Sequence, residues 1–306
     1  MKKIRGLILF SGGLDSILAA KLLEEQRIEL LGLAFKSLFF DVDQAEKSAK
    51  QINLPLKIID ISKEHLAMVK QPRFGYGSAM NPCIDCHLMM FKKAAEIMKN
   101  ENYDFVASGE VLGERPMSQN KQALQLIEKE SGIAGYLLRP LSAELFESTI
   151  PEKKGLIDRK KLLGISGRSR KPQMMLAKKF NIQNYPTPAG GCLLCDIEFG
   201  KRLKELFQRY PECDENDVEL LKYGHHFWVD GAKVIVGRNH QENLEIKSLA
   251  REGDCIIELK EIPGPTVLVR GKKNNKQIES KAIDLLIKYS PKAYGLKKPG
   301  TKTERF

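Results

Sequence analysis

Long hydrophobic runs are missing from this 306-residue chain. No stretch approaches the roughly 20 apolar residues that a membrane-spanning helix needs. The short apolar run before Ser11-Gly12-Gly13 has no small-residue cleavage site, so it lacks the form of a signal peptide. Neither G-x-x-x-x-G-K-[ST] nor G-x-G-x-x-G occurs at the first strand end, which excludes the ordinary nucleoside-triphosphatase and dinucleotide loops there. Tryptophan occurs once, at Trp228, and no internal repeat is evident. Acidic residues are the scarcer charge: 39 Asp and Glu stand against 50 Lys and Arg, a formal net charge of +11. Such an excess favours a polyanionic partner, although a merely basic enzyme has the same balance. A soluble, cytoplasmic protein with no membrane partner is the expectation.

The chain is long enough for two domains. Residues 4–10 read as a buried parallel strand and 15–26 carry apolar residues at helical spacing. "IELLGLAF" (28–35) is a second strand, 42–53 a second helix and "PLKIIDIS" (55–62) a third strand. A Gly- and Pro-containing loop, "FGYGSAMNPCIDCH" (75–88), precedes a helix through Lys99; strands follow at 104–113 and 136–146. Strand–helix alternation of this kind predicts an α/β domain with a doubly wound parallel sheet over 1–175. From Glu152 a basic, polar run of connector character, "EKKGLIDRKKLLGISGRSRKPQ" (152–173), leads through a cysteine-containing connector, 176–223, to short alternating strands and one helix, an α+β domain over 224–306. The basic tail from Ser290 is expected to be mobile.

At the first strand end, "SGGLDS" runs into a helix. That arrangement leaves unpaired N–H groups and the positive end of a helix dipole at one place, where an anion belongs. Gly12 and Gly13 permit close approach, Ser11 and Ser16 add hydroxyl donors, and Asp15 can hold a metal or cap the helix. The motif resembles the PP-loop of N-type ATP pyrophosphatases. The resemblance implies an adenine nucleotide alpha hydrolase-like fold, ATP with Mg²⁺, adenylation of a substrate oxygen and release of pyrophosphate, with adenine contacts at Ala34 and Phe35 and a catalytic Asp15.

"ASGEVLGERPMSQN" (107–120) and "LLRPLS" (137–142) resemble a segment of the 4-thiouridine synthetase (ThiI-type) tRNA sulfurtransferases. Carried over, Ser108, Gly109 and Glu110 join the nucleotide site, and Ser118, Gln119 and Arg139 become RNA contacts. The resemblance also implies two copies sharing one tRNA, a homodimer. That family's sulfur-carrying domain has no counterpart in this chain, so sulfur must reach the site otherwise.

Six cysteines in such a chain argue against a disulfide framework. Four form two C-x-x-C pairs, Cys83/Cys86 and Cys192/Cys195, whose thiolates suit zinc, an iron–sulfur cluster or covalent sulfur transfer. The first-ranked expectation resembles the iron–sulfur-dependent tRNA thiolases: a [4Fe–4S] cluster on Cys83, Cys86 and either Cys192 or Cys195, with an open iron for sulfide. Gly190-Gly191 before Cys192 favours Cys192 as the third ligand and, with Cys83, as a catalytic residue. Closed zinc and a cysteine persulfide compete with it. His87 is expected to face solvent, and Cys213 and Cys255 to be packing residues.

Residues 225–271 resemble the RNA-binding domain of the NFACT family, through "VGRN" (236–239), Asn243 and "IPGPTV" (262–267). The resemblance implies RNA contacts from Arg238, Asn239 and Arg270. Trp228 on an alternating strand is read as core rather than as a stacking platform, while Lys272, Lys273 and the tail are candidates to track the backbone.

The resulting expectation is an ATP-dependent tRNA sulfurtransferase. Its product would be 4-thiouridine first and 2-thiouridine second, its partners tRNA and a sulfur donor, either sulfide or a cysteine desulfurase. Two alternatives stand beside it: a PP-loop amide or nitrile synthetase, such as a 7-cyano-7-deazaguanine synthase with structural Zn²⁺, and an RNA-binding adaptor that merely holds ATP.

Overall fold

The computed structural model describes residues 3–186, 191–271, 276–293 and 299–306. Gly190, Lys272 and Lys273 lie outside them. The chain divides into two compact units, Met1–Asp196 and Ile197–Phe306. The connector expected over 176–223 is therefore shared: Cys192 and Cys195 go to the first unit and the helices after them to the second.

In the first unit the order is β1 (Arg5–Leu9), α1 (Leu14–Glu24), β2 (Glu29–Lys36), α2 (Asp43–Gln51), β3 (Leu56–Asp60), α3 (Ser62–Lys70), α4 (Cys83–Asn100), β4 (Phe105–Ser108), α5 (Lys121–Glu130), β5 (Leu137–Leu138), α6 (Ile150–Lys153) and α7 (Lys171–Lys179). All five strands are parallel, in the order β3-β2-β1-β4-β5. Apolar residues on both sides of β1 explain the two layers. Ile8 belongs to the core shared with Leu14, Ile17, Leu18 and Ala177, whereas Leu7 belongs to the one shared with Phe91, Ala94, Met98 and Ile127. The sheet is thus wound on both faces. Its order reverses between β1 and β4, and ligands of such sheets bind outside the strand ends at that switch point. Residues 10–13 lie there.

The second unit holds α8 (Ile197–Arg209), α9 (Glu215–Leu220), β6 (His225–Val229), β7 (Ala232–Val236), α10 (His240–Ser248), β8 (Cys255–Leu259), β9 (Val267–Arg270), α11 (Lys276–Lys288) and β10 (Thr301–Arg305). Its antiparallel sheet runs β10-β8-β9-β7-β6. Val234, Ile257 and Val267 pack with Ile278 and Leu286 of α11 on one face; Ile235, Ile256 and Leu268 pack with Leu220 and Ile246 on the other. The expected mobile tail is corrected in part, because Thr301–Arg305 pairs with Cys255–Leu259 along its whole length. Alternating Thr and charged residues suit an edge strand with one solvated face. Among the described residues, no helix is long and apolar enough to cross a membrane.

Candidate functional site

The loop between β1 and α1 is shaped by backbone rather than by side chains. Gly12 has φ +75°, and a Cβ on it would sit 2.4 Å from the Gln44 carbonyl oxygen, so only glycine satisfies both the turn and the contact with α2. Ser48 of α2 donates to the Gly12 carbonyl at 2.9 Å. Gly13 is the N-cap of α1 and supplies no side-chain acceptor. The first-turn N–H groups consequently face the loop without a cap. Ser11 is exposed, its Oγ accepting from the Gly13 N–H at 3.3 Å. The Ser16 hydroxyl, expected to face a ligand, donates instead to the Gly13 carbonyl at 2.8 Å.

Asp15 stands in the first turn of α1, with its Oδ1 buried and without a hydrogen-bond partner. Burial raises its carboxyl above the ordinary range, and Arg170, Gln173 and Arg115 act against that rise. An acidic first turn beside open N–H groups is a fit for a phosphate chain carrying a divalent cation, in which Asp15 and Ser11 would be protein ligands. Gly109 ends β4 against the same turn: a Cβ there would lie 2.5 Å from the Ser16 nitrogen. The Ser-Gly-Glu strand end and the PP-loop helix are therefore in backbone contact.

Glu110 is buried and bound from both sides. Arg139 donates through Nε at 3.1 Å, His87 Nδ1 lies 2.9 Å away, and the Ser108 hydroxyl donates at 3.1 Å. Burial alone would raise this carboxyl, but Arg139 and His87 outweigh it and hold it at about 2. Burial likewise disfavours the charged imidazole, yet Glu110 holds His87 above its usual value. The expectation that His87 faces solvent is corrected: it turns inward because a carboxylate waits there.

Arg139, expected at the RNA, is buried, and its other nitrogens donate to Glu128 and to the Leu124 carbonyl. Gln119 is half-buried and tied to its own loop. Its Oε1 accepts from the Arg115 N–H and its carbonyl accepts from the Gly113 N–H, closing the 113–119 loop. Ser118 is buried. Ala34 and Phe35 are buried within β2, which continues to Lys36, and Phe35 is part of the core rather than a surface at the strand end.

Cys83 and Cys86 occupy the first turn of α4, not the loop expected for them. Asp85 between them accepts from the N–H groups of Arg73 and Phe74, at 3.0 Å each, and anchors that turn. The Leu193 N–H donates to the Phe39 carbonyl at 2.8 Å and fixes the Cys192–Cys195 turn near the end of β2. One thiol from each pair then meets: a Cys83–Cys195 hydrogen bond is the largest influence holding the Cys83 thiol up, ahead of burial. Asn81 donates to Cys83 Sγ at 3.2 Å and, with His87, favours its thiolate. Burial pushes Cys86 up to about 12. Cys195 is raised, first through its hydrogen bond with Cys192, and Arg115 opposes the rise. Among the described residues no three His, Cys, Asp or Glu side chains are arranged as metal ligands with the thiols in these positions, although Cys83 and Cys195 both act on Cys86 and Cys192 acts on Cys195.

Four residues missed by the sequence reading belong to this site: Glu114, Arg115, Arg170 and Gln173. Burial raises Glu114, with Asp15 adding to it. Arg115 acts on Asp15 and Glu114 and also on His87 and Cys195. A signal for the last two was present, since Arg170 and Gln173 are spaced i, i+3 where a helix opens.

In the second unit the expected RNA residues chiefly build the fold. Asn239 is the N-cap of α10, its Oδ1 accepting from the Glu242 N–H at 3.0 Å, and Arg238 is ion-paired with Glu242. Asn243 bridges the Gly264 carbonyl and the Thr266 N–H. Arg270 is buried among Asp254, Asp217, Asn216 and the Leu249 carbonyl, with no exposed donor face for RNA. Arg238, by contrast, keeps about half of its side chain exposed (46%). The Arg209 guanidinium and the Lys233 ammonium both lie over the Trp228 ring, 5.2 and 4.7 Å from its centroid. Cys213 is buried, as a packing residue would be, and Cys255 lies half-buried on β8.

Two family models match the chain. Residues 224–295 match the NFACT protein RNA binding domain, and residues 4–148 match a family of unknown function, DUF7411. The chain is 31% identical over 151 residues to the tRNA-specific 2-thiouridylase MnmA of Petrotoga mobilis, covering 42% of this chain and 41% of that one. It is 24% identical over 245 residues to the enzyme of the same name from Karelsulcia muelleri, covering 74% and 60%. The chain thus spans less than two thirds of the length of these curated relatives. A solved structure described as a predicted subunit of tRNA methyltransferase from Methanocaldococcus jannaschii aligns with TM-score 0.38 and 16% identity, covering 57% of this chain and 76% of that one.

Proposed function

We propose that the protein is an ATP-dependent tRNA sulfurtransferase that replaces a uridine carbonyl oxygen with sulfur. One observation carries the reading: within one unit, a glycine-built anion loop with one carboxylate oxygen left unpartnered and a contact between two cysteines from separate C-x-x-C pairs lie within reach of the same guanidinium, Arg115. A phosphate-binding end and a sulfur end side by side suit a reaction that activates an oxygen and then displaces it.

In this account the uridine oxygen attacks the α-phosphorus of ATP, the bond to the β-phosphate oxygen breaks, and pyrophosphate leaves through the Ser11–Ser16 loop. Asp15 would hold Mg²⁺ with the phosphates, and the cation would offset the charge of the leaving pyrophosphate. A persulfide on Cys83 or Cys195, delivered by a donor of the cysteine desulfurase class, attacks the adenylated carbon and AMP departs. The partner thiolate then attacks the enzyme-side sulfur; a Cys83–Cys195 disulfide forms and the thiocarbonyl is released, leaving an external thiol to reduce the disulfide. His87 and Asn81 favour the Cys83 thiolate that this step needs. The named activity of the relatives supports position 2 of the uracil ring; 4-thiouridine, expected from the 107–142 resemblance, has less support. The NFACT match supports a tRNA-docking role for the second unit, with Arg238 its accessible cation.

The gathering of four thiols favours a second reading of the sulfur step, a [4Fe–4S] cluster on Cys83, Cys86 and either Cys192 or Cys195, which would need side-chain rearrangement. Cys83→Ser and Cys195→Ser test the sulfur step itself. Both variants should still form AMP and pyrophosphate with tRNA present, but yield no thiolated uridine. Trapping of a Cys83–Cys195 disulfide after turnover supports the pair, whereas a brown protein of iron and sulfide content supports the cluster. Full thiolation by both variants would refute either sulfur route.

A further inference from the structure

The start of α7 carries polar groups that the first unit does not use. Gln173 is fully buried, and neither its Oε1 nor its Nε2 has a hydrogen-bond partner. Arg170, the N-cap residue one turn before it, has a buried Nε without a partner. Both act on Asp15, whose own Oδ1 is the fourth buried atom left without a partner. Folded proteins pair nearly all such atoms, and leaving them bare costs stability, so four on three neighbouring residues mark a site completed by something else.

The segment that delivers them is firmly placed. The Leu163 and Ile165 N–H groups donate to the Pro140 and Leu141 carbonyls, at 3.0 and 2.8 Å, and the Gly167 N–H donates to the Leu112 carbonyl at 2.7 Å. Residues 163–167 therefore run beside the loop that holds Glu114 and Arg115. Ala177, one turn beyond Gln173, packs with Leu14 and Ile17 of α1. The result is two guanidinium groups, Arg115 and Arg170, facing two carboxylates, Asp15 and Glu114, with a buried amide among them. Carboxylates raised by burial call for a divalent cation; planar guanidinium donors call for phosphate oxygens.

We propose that Arg170 and Gln173 are nucleotide-site residues: Arg170 contacts the polyphosphate of a nucleoside triphosphate bound with its divalent cation, and Gln173 is a positioning residue that orients Asp15. This rests on the reading of Ser11–Ser16 as an ATP loop. When the nucleotide arrives, the Gln173 amide donates to the Asp15 carboxylate while that carboxylate meets the cation, and the Arg170 guanidinium meets the departing phosphates. What reads in sequence as a connector is then the far wall of the active site.

Calorimetric titration of the full chain with ATP and Mg²⁺, together with thermal melts of the nucleotide-free protein, tests this. Arg170→Ala should weaken ATP binding by about 10- to 100-fold, with Arg170→Lys in between. Gln173→Leu is the discriminating variant. Removal of an unsatisfied buried amide by a residue of similar volume should hold or raise the melting temperature of the nucleotide-free protein, while ATP affinity falls by about tenfold. A purely structural glutamine would give the reverse, a lowered melting temperature and unchanged affinity. ATP affinity like that of the parent protein in both Arg170→Lys and Gln173→Leu overturns the inference even where Arg170→Ala fails to fold. Absence of ATP binding by the parent protein overturns the ATP-loop reading itself, and the inference with it.

Discussion

Glu110 keeps its charge in a place from which water is excluded, because Arg139, His87 and Ser108 all bind it. Its carboxyl lies at about 2 when folded against an ordinary 4.5, so the folded state releases this proton more readily than the unfolded one. The sign follows: its stabilising contribution is present above 4.5 and is lost as pH falls through about 2. The amount is on the order of 3 kcal/mol. His87, held above its ordinary 6.5, works in the opposite sense, since its share is present below 6.5 and is lost as pH rises through its folded value. Glu110→Gln should therefore destabilise the protein at neutral pH by roughly 3 kcal/mol, by leaving Arg139 partly unpaired in the interior. Its melting temperature should fall less than that of the parent protein between pH 4.5 and 2. Melting curves of equal slope in that window would remove Glu110 from this role. Residue types in the site were legible in sequence, but not their partners. Nothing in "RPLS" shows that Arg139 turns inward to Glu110, because that pairing joins residues 29 apart.

Among elements, the contact that matters most is between the end of β4 and the first turn of α1. Gly109 makes it possible, with 2.5 Å between its would-be Cβ and the Ser16 nitrogen. Backbone cannot yield as a flexible side chain can. Gly109→Ala should push β4 from α1, costing about 1–3 kcal/mol of stability by overpacking and opening the anion loop, so that ATP affinity drops more than stability does. Chemical denaturation alongside ATP titration checks this; unchanged affinity would mean that the loop does not depend on β4. The first three strands and α1, α2 and α4 were readable from apolar periodicity because they form or cover a buried sheet, and their boundaries fall within a few residues; the strands expected at 104–113 and 136–146 shrink to Phe105–Ser108 and Leu137–Leu138, and α3 and α5 were not read. The C-x-x-C turn was misplaced for a local reason: Pro82 and the preceding glycines signal a loop, yet Pro82 is the N-cap of α4 and Cys83 already its first residue. The 163–173 segment was read as a connector because its charges dominate its few apolar residues, and its docking against residues 112 and 140–141 is long-range.

At the scale of the whole molecule, a parallel α/β unit with its proposed nucleotide loop is followed by an antiparallel unit that matches an RNA-binding domain. The two-part organisation was legible from the change in periodicity near residue 224, and the carry-over of RNA contacts was less so. Asn239 and Arg270 owe their places in the motif to a helix cap and a buried ion-pair network. A sequence motif records what folds a domain as well as what binds its ligand, and only the arrangement separates the two. The account as a whole requires that the chain join ATP, uridine and sulfur in one reaction. Mass spectrometry of nucleosides from unmodified tRNA, incubated with the purified chain, ATP, Mg²⁺ and a persulfide or sulfide source, tests this most directly. The account predicts a uridine in which sulfur replaces oxygen, formed with AMP and pyrophosphate and absent when ATP is withheld. Formation of AMP and pyrophosphate on tRNA without any thiolated nucleoside, under conditions where Cys83 and Cys195 are reduced and charged with sulfur, would contradict it.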